Sequence, residues 1–228
     1  MDNRILDSLP SKERRQLSQQ TTTVHLSRST VLFESGDAPE FVYFPVDALV
    51  SYLSSTAAGQ SIEVGLVGNE GVVGIATLFG NTTAFRAVVQ ISGAAIRVNR
   101  LALKREFQAC DAVREVLLGY ANSLLTQVAQ TAVCNKFHNT DARFCRWLLM
   151  AHDRSGANQL AITHDSIARI LGTRRASITI CAGKLQKAGA IRCTRGVTTI
   201  LNRSILEAAV CECYETIVAA HVVAARSF

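Results

Sequence analysis

The stretch from Ser166 to Leu206 concentrates positive charge that nothing in the same stretch neutralises. It contains eight basic residues and no Asp or Glu: Arg169, Arg174, Arg175, Lys184, Lys187, Arg192, Arg195 and Arg203. An uncompensated run of cations attracts a polyanion. Double-stranded DNA is therefore the first candidate partner.

The positive charge is segregated along the chain rather than spread over it. Residues 1–108 carry ten basic and ten acidic residues, residues 109–137 carry two of each, and residues 138–228 carry twelve basic and six acidic residues. The net charge of +6 therefore lies in the last segment. A neutral module fused to a nucleic-acid-binding module has this pattern. We expect a first domain at 1–108, a connecting helix at 109–137 and a DNA-binding domain at 138–228.

The composition predicts a folded chain without a membrane span. Of the 228 residues, 48% are hydrophobic, but no apolar run approaches the roughly 18 residues that cross a bilayer. The first residues are polar and mixed in charge, unlike a signal peptide, so we expect a cytoplasmic protein with no membrane partner. Seven cysteines, an odd number, occur from Cys110 onward in apolar contexts, and we expect free thiols.

The region from about Thr23 to Arg100 is predicted to be a β-roll. Short β-branched or aromatic runs such as FVYFP, SIEVGLVG and AAIRVN are separated by glycine-containing turns. Strands at this spacing, with no helical pattern between them, predict a jelly-roll-like sandwich or a rolled barrel. Ahead of it, Ser11 is expected to cap a short helix that continues to Gln20. The predicted fold class is α+β.

A long helix is predicted from Ala112 to Phe137, where apolar residues recur at three- and four-residue steps. About 25 helical residues span about 37 Å. A long apolar stripe with little charge favours association with a second copy, whereas the alternative is that it covers the β domain. The predicted dimerisation residues are Val113, Val116, Leu117, Tyr120, Leu124 and Val128.

Residues 162–188 have the pattern of two helices packed across a tight turn. Thr163 is expected to cap the first helix and Thr173 the second. Gly172 lies at the reversal, where a positive φ is favoured. The buried positions are predicted to be Ile167, Ala168, Leu171, Ile178, Cys181 and Leu185.

The elements around this motif complete a winged helix-turn-helix. A helix at residues 141–152 is expected before it. A hairpin that turns at Arg195-Gly196 is expected after it as a wing, followed by a helix from Ser204 to about Ala225.

The second helix of such a motif lies in the major groove, with its first turn at the base edges. Arg175 in that turn can donate to O6 and N7 of a guanine, and Ser177 and Thr179 are shorter donors. Arg174 and Lys184 are expected at phosphates, as are Lys187 and, on the wing, Arg192 and Arg195.

The order of β-roll, long helix and winged helix-turn-helix resembles the CRP/FNR family of bacterial transcription regulators over nearly the whole chain. The segments that carry the resemblance are FVYFPVDALVSYL, EVGLVGNEGVVGIATLFG, FRAVVQISG and THDSIARILGTRRASITICAGKLQKAGAI. The resemblance implies a homodimer on a two-fold-symmetric operator, and contact with RNA polymerase if the protein is an activator.

Single positions of the reading motif match the family unevenly. Thr163 and His164 fall where the family approaches phosphates, and Arg175 falls on its guanine-reading arginine. Ala176 stands where many members have an acidic residue, and Ile180 where one branch has a second arginine. The resemblance therefore implies no particular operator sequence.

The expected effector site departs from that of the family's cyclic-nucleotide-binding members, which use a glutamate and an arginine-serine pair. Ile75 stands at the place of the glutamate and Phe85-Arg86 at that of the pair. We expect Gly74, with these three residues, to line an effector site that does not bind cyclic AMP. Three readings stay open: gating by an unidentified effector, constitutive DNA binding with the roll as a scaffold, and a small-molecule sensor that acts on a protein partner.

The sequence favours binding over catalysis. Only His25 precedes His138, so a site with two or three histidine ligands cannot form in the β region, and no P-loop or nucleophile elbow occurs. We expect no enzyme activity and no cofactor.

Cys211 and Cys213, with Cys193 and His221 near them in sequence, raise the question of a metal or redox site. On one helix, positions 211 and 213 point about 200° apart. We therefore expect structural thiols and no metal, with a redox role for these three cysteines left open.

Overall fold

The computed structural model describes residues 3–80 and 82–226, with side chains as far as His221. Two antiparallel sheets, of order β1-β7-β3 and β2-β6-β4-β5, share one apolar core and form the predicted β-roll. The strands are β1 (Thr21–Leu26), β2 (Val31–Phe33), β3 (Phe41–Pro45), β4 (Leu49–Ser55), β5 (Ser61–Val67), β6 (Arg86–Ile91) and β7 (Gly93–Asn99). Side chains of β6 alternate between buried and half-buried, as expected for a strand with one face on the core.

Short helices close the ends of the roll. They are α1 (Arg4–Ser8), α2 (Ser11–Ser18), α3 (Ala76–Phe79) and α4 (Arg100–Ala109). Asn3 caps α1 by accepting from two backbone amides, and its own amide donates to the carbonyl groups of Pro45 and Gly71, which ties α1 to the roll. The cap of α2 is Pro10, so Ser11 is the first helical residue and not the cap. The sequence analysis missed α4, which Asn99 caps.

The long helix α5 (Asp111–Phe137) forms as predicted, but its predicted dimerisation stripe faces its own roll. The stripe residues belong to the core of a single chain, with Val128 packed against that core: Val113, Val116, Leu117, Tyr120 and Leu124. Buried side chains cannot meet a second copy. For the five buried residues the dimer assignment is corrected, since they cover the β domain, whereas for the half-buried Val128 it stays a prediction.

The opposite face of α5 carries apolar side chains that the chain leaves exposed. Leu118 is 46% exposed, Leu125 66%, Val133 43% and Phe137 74%. Between Leu118 and Val133 the helix contains no charged residue.

The C-terminal region is a winged helix-turn-helix. Its elements are α6 (Thr140–Ser155), β8 (Gln159–Leu160), α7 (His164–Ile170), α8 (Arg175–Lys187), β9 (Ile191–Thr194), β10 (Val197–Ile200), α9 (Arg203–Ala209) and α10 (Cys213–Arg226). The small sheet has the order β8-β10-β9. The C-terminal helix predicted from Ser204 is in fact two helices, because the chain is non-helical between Ala209 and Cys213.

Local details of the motif agree with the sequence except at one cap. Thr163 caps α7 by accepting from the backbone N–H of Ser166 at 3.2 Å, and Gly172 has φ +59°. The residue that precedes α8 is Arg174, without a side-chain cap, so the prediction for Thr173 is wrong. The amide of Thr173 instead bonds to the carbonyl of Ala168 within the turn. None of the helices within residues 3–80 and 82–226 is long and apolar enough to cross a bilayer.

The roll and the helix-turn-helix pack against each other. Leu49 and Leu66 of the roll belong to the same apolar cluster as Phe144 and Trp147 of α6. A buried guanidinium reinforces this contact, because Arg154 at the end of α6 forms an ion pair with Glu70 at 3.1 Å.

Arg154 also joins three further elements. It donates to the carbonyl of Leu66 in β5, to the side chain of Gln127 in α5 and, at 3.0 Å, to Nε2 of His221 in α10. Burial, and then the charge of Arg154, lower the pKa of His221 to about 3, which keeps the imidazole neutral and able to accept.

We predict that Glu70→Gln destabilises the fold by about 3 to 5 kcal/mol, because it leaves the buried guanidinium of Arg154 without its counter-charge. Denaturant unfolding at fixed protein concentration measures the change. The matched control is Glu34→Gln, which breaks the exposed ion pair with Arg86 and should cost about 0 to 1 kcal/mol. Equal costs for the two variants would contradict the role given to the buried pair.

A second polar contact between the domains responds to pH. Glu63 of β5 is buried, accepts from the hydroxyl of Ser51 and lies 3.4 Å from Nε1 of Trp147 in α6. Burial raises the pKa of Glu63 to about 7, and the hydrogen bond from Ser51 opposes that rise. The carboxyl is therefore protonated in the folded chain under mildly acidic conditions.

We predict that the contribution of Glu63 to stability falls as pH rises from about 4.5 to about 7, opposite in sign to the contribution of His221, whose lowered pKa favours the folded state as pH rises. The unfolded carboxyl ionises near 4.5, whereas the folded one keeps its proton until about 7, so its contribution is complete below 4.5 and lost above 7. The loss is at most about 3 kcal/mol. Glu63→Gln should remove this part of the pH profile in thermal unfolding, while Glu215→Gln on the exposed side of α10 should leave it unchanged. An unaltered profile in Glu63→Gln would refute the assignment.

Candidate nucleic-acid interface

Helix α8 has a buried face and an exposed one, as the sequence predicted. Ile178, Cys181 and Leu185 pack into the core of the domain. The exposed face starts with Arg175 in the first turn and is otherwise small or uncharged until Lys184. Its exposed residues are Arg175, Ala176, Thr179, Ile180, Gly183, Lys184, Gln186 and Lys187. This face is the one that a major groove would meet.

Ile180 is the residue on this face whose role the sequence analysis missed. Its side chain is largely exposed although it is apolar and β-branched. Beside the small Ala176 and Gly183, it gives the middle of α8 an apolar surface. Apolar side chains on a reading helix contact the methyl group of thymine. The signal in the sequence was an isoleucine on the polar face of an amphipathic helix.

The two shorter donors predicted on α8 are less accessible than Arg175. The hydroxyl of Thr179 donates to the carbonyl of Arg175 at 3.1 Å, so a contact with a base as donor requires it to leave that partner. Ser177 is half-buried.

His164 and Thr163 also make contacts within the motif. Nδ1 of His164 lies 3.3 Å from Oγ1 of Thr179, which links the two helices. Burial, and then the charge of Arg175, lower the pKa of His164, so the ring is neutral near pH 7. Thr163 uses its side-chain oxygen to cap α7 and lies 3.1 Å from the hydroxyl of Ser166. These side chains position α7 rather than add positive charge.

The wing lies beside the reading helix. Arg195 and Gly196 form its turn with φ of +47° and +81°. A non-glycine residue in this region costs about 1 kcal/mol or more, which the adjoining strand pairs must offset. A groove of about 310 Å³ between the wing and the helices is lined in part by Thr163, His164 and Arg175. The wing therefore continues the surface of α8.

The basic residues predicted to contact phosphates differ in whether their side chains already have a partner within the chain. Lys184 donates to Asp141 of α6 at 2.7 Å, and hydrogen bonds from Cys181 and then from Lys184 lower the pKa of Asp141. Its charge is thus partly neutralised within the chain. Arg174 and Lys187 are exposed at the two ends of α8.

Two of the four predicted effector residues pack against the apolar core of the roll. Gly74 has φ +97° and starts the turn into α3, and Ile75 belongs to the core. The ring of Phe85 packs 5.5 Å from that of Tyr52, whose hydroxyl accepts from the Gly74 amide. The effector site at these residues stays a prediction.

Arg86 faces another direction. It pairs with Glu34 at 3.2 Å and lines a cavity of about 180 Å³ between the roll and α7, together with Arg28 and Arg169. Arg28 donates to the hydroxyl of Ser166 in α7 at 2.9 Å, so this cavity lies on the contact between the roll and the DNA-binding region.

Comparison with known proteins identifies the C-terminal region and the fold. Residues 142–209 match the Crp-like helix-turn-helix domain. A search of curated proteins found no significant match.

Among solved structures, the chain is similar to FixK2 from Bradyrhizobium japonicum, with a TM-score of 0.72, 16% identity, and coverage of 84% of this chain and 98% of that one. It is also similar to a regulator of the CRP/FNR family from Eubacterium rectale, with a TM-score of 0.64, 18% identity, and coverage of 90% and 96%. A third similar structure is the c-di-GMP-responsive regulator CLP of Xanthomonas campestris, with a TM-score of 0.64, 19% identity, and coverage of 84% and 99%.

Proposed function

We propose that this chain, which has the fold of the CRP/FNR transcription regulators and carries a Crp-like helix-turn-helix domain, is a homodimeric transcription regulator that recognises a specific DNA sequence. Its function is binding and not catalysis. The observation that carries the proposal is the exposed face of α8, in a stretch with eight cations and no acidic residue. We expect it to act in the cytoplasm, where bacterial DNA lies.

The arrangement of α8 supports recognition of bases. Arg175 is in the first turn, at the end that approaches base edges, and guanine offers it two acceptors. Ile180 lies just over one turn further on and presents an apolar surface to a thymine methyl group. Arg174, Lys187 and Arg195 surround this face and are suited to phosphates. One helix therefore offers both a hydrogen-bonding contact and an apolar contact to the bases.

The exposed stripe of α5 supports assembly with a second copy. A face of about four turns that contains Leu118, Leu125 and Val133 and no charge is unusual on a solvated helix. The spacing of seven and eight residues keeps these side chains on one line, as in a two-helix seam. Pairing two copies would present two α8 helices to successive major grooves, about 34 Å apart. If the protein is an activator, we expect the dimer to contact RNA polymerase.

Gating by an effector is a second candidate property, favoured by the cavity that Arg28, Arg86 and Arg169 line where the roll meets α7. An anion held there would act on both domains at once. The competing reading is constitutive DNA binding, which the burial of Ile75 in the core of the roll favours. Operator affinity before and after exhaustive removal of small molecules separates the two, because equal affinities exclude gating.

We predict that Leu125→Glu converts the dimer to monomers, because it places an unpaired charge in the helix seam at a cost of about 3 kcal/mol or more. Sedimentation velocity measures the assembly state, and operator affinity should fall with it. Leu101→Glu is the matched control, since Leu101 is 57% exposed on α4, away from the stripe. An intact Leu125→Glu dimer would refute the proposed seam.

We predict that Arg175→Ala costs about 1 to 3 kcal/mol of specific binding and relaxes the preference at one base pair. Selection from a random DNA pool, followed by binding titrations, measures both. Lys187→Ala is the control, since loss of a phosphate contact should weaken all sequences alike and reduce the salt slope by about one. Unchanged sequence preference in Arg175→Ala would show that another residue reads the base.

A further inference from the structure

Three cysteines and one histidine converge where α5 ends and α9 meets α10. Cys134 and His138 are one helical turn apart at the end of α5. Cys211 lies in the break after α9, and Cys213 is the first residue of α10. Their sulfur atoms and a ring nitrogen all lie within 4.8 Å of one another. We name these four residues the thiol–imidazole cluster.

The break between the helices explains why the sequence analysis rejected this site. The expected 200° separation of positions 211 and 213 assumed that both belong to one helix. Because α10 begins only at Cys213, Cys211 is free of that constraint and its sulfur points back to α5, 3.6 Å from that of Cys134. The expectation of no metal at these residues assumed one shared helix, and the structure does not have that helix.

Two of the distances in the cluster match the edges of a single coordination tetrahedron, and all four ligand atoms lie within 4.8 Å of one another. Sulfur ligands about 2.3 Å and nitrogen ligands about 2.0 to 2.1 Å from zinc are separated from one another by about 3.5 to 3.8 Å. The Cys134–Cys211 sulfur pair is 3.6 Å apart, and Sγ of Cys213 is 3.4 Å from Nδ1 of His138. In an iron–sulfur cluster the protein ligands bind different irons, so their ligand atoms must lie farther apart. One ion, with three sulfur ligands and one nitrogen, fits this frame.

We propose that the thiol–imidazole cluster binds one zinc ion. Three thiolates and one neutral imidazole form one of the ligand sets typical of structural zinc sites. On binding, each of the three thiols releases its proton to solvent, and the ion replaces these protons. The oxidation state of zinc and of the sulfur atoms does not change.

The groups around the cluster fit the outer contacts of a zinc site. Nδ1 of His138 faces the sulfur atoms, and its other ring nitrogen lies 3.2 Å from the carboxylate of Glu212, the arrangement that orients a zinc-bound histidine. The side-chain amide of Gln130 donates to the sulfur of Cys213 at 3.2 Å. A thiolate is a better acceptor for that hydrogen bond than a thiol.

The charge around the cluster also favours an anionic metal site. Three thiolates on a divalent cation leave a net charge of about −1. The buried side chains of Arg143 and Arg146 are close enough to interact electrostatically with the sulfur of Cys134. Among residues 3–80 and 82–221, neither guanidinium forms an ion pair with a carboxylate. Buried cations of this kind are stabilised by nearby negative charge. Glu63 interacts electrostatically with Arg146, and metal-bound thiolates would add negative charge beside both guanidinium groups.

The ion would fasten the C-terminal helices to the helix that carries the exposed apolar stripe. Two ligands belong to α5 and two to the junction of α9 and α10, so the bound ion closes a loop of more than 70 residues that contains the whole helix-turn-helix. His138 is partly exposed, which gives an ion access from solvent. The site is independent of the proposed DNA contacts.

The test uses the full chain, purified under reducing conditions and loaded with zinc or cobalt(II). We expect one zinc per chain by elemental analysis, and with cobalt the sulfur-to-metal charge-transfer and visible bands of a tetrahedral thiolate site. Cys213→Ser should lose these bands. Cys193→Ser is the matched control, because this half-buried thiol lies in β9 outside the cluster and its loss should leave metal content and spectrum unchanged.

Glu212→Gln keeps the test decisive if a cysteine variant fails to fold, since Glu212 is exposed. Loss of the carboxylate that orients His138 should weaken zinc affinity by about 10- to 100-fold while the cobalt spectrum stays tetrahedral. The proposal is overturned if the wild-type chain gives no tetrahedral cobalt spectrum, if Cys213→Ser keeps it, or if the reduced chain binds no zinc. Recovery of a Cys134–Cys211 disulfide in place of bound metal would overturn it as well.

Discussion

The buried guanidinium of Arg154 is the contact on which the arrangement of the domains depends. It leaves water at a large cost, and the charge of Glu70 with three further acceptors offsets that cost only when β5, α5, α6 and α10 are all in place. The roll, the long helix and the DNA-binding region are therefore parts of one cooperative unit. The apolar cluster that joins Leu66 to Trp147 adds non-directional attraction, whereas Arg154 specifies a single geometry.

The sequence predicted the helices and strands better than it predicted what each of them packs against. Periodicity identified α5 and the residues of its buried stripe, because a three-and-four spacing reports which side of a helix avoids water. Periodicity could not report what covers that side of α5. The roll covers it, where a second copy of the chain was expected. The exposed stripe with Leu125 was hidden because α5 is apolar on two sides. Charge counting pointed to residues 138–228, within which residues 142–209 match the Crp-like helix-turn-helix domain, because the number of charges in a segment does not depend on tertiary structure.

The surroundings of two sites could be known only from the tertiary structure. The effector prediction followed the positions of Ile75 and Phe85 in a resemblance, whereas only the structure shows that Ile75 lies in the core and that Phe85 packs beside Tyr52. The thiol–imidazole cluster failed to appear in the sequence for the opposite reason. Its members are up to 79 positions apart, and a three-residue break after α9 turns Cys211 toward α5. Ligand spacing rules assume local motifs, and this constellation is not local.

The two-sided character of α5 has a genetic consequence. One face of α5 packs on its own roll. The other face contains Leu118 and Leu125 and is distant from α8 in the sequence, so a substitution in α8 leaves these side chains in place. If two copies pair through this face as proposed, a chain damaged only at Arg175 still pairs with an intact one, and each mixed pair carries one intact reading helix. Alleles of this type are expected to be dominant over the normal allele, whereas alleles that disrupt the seam are expected to be recessive.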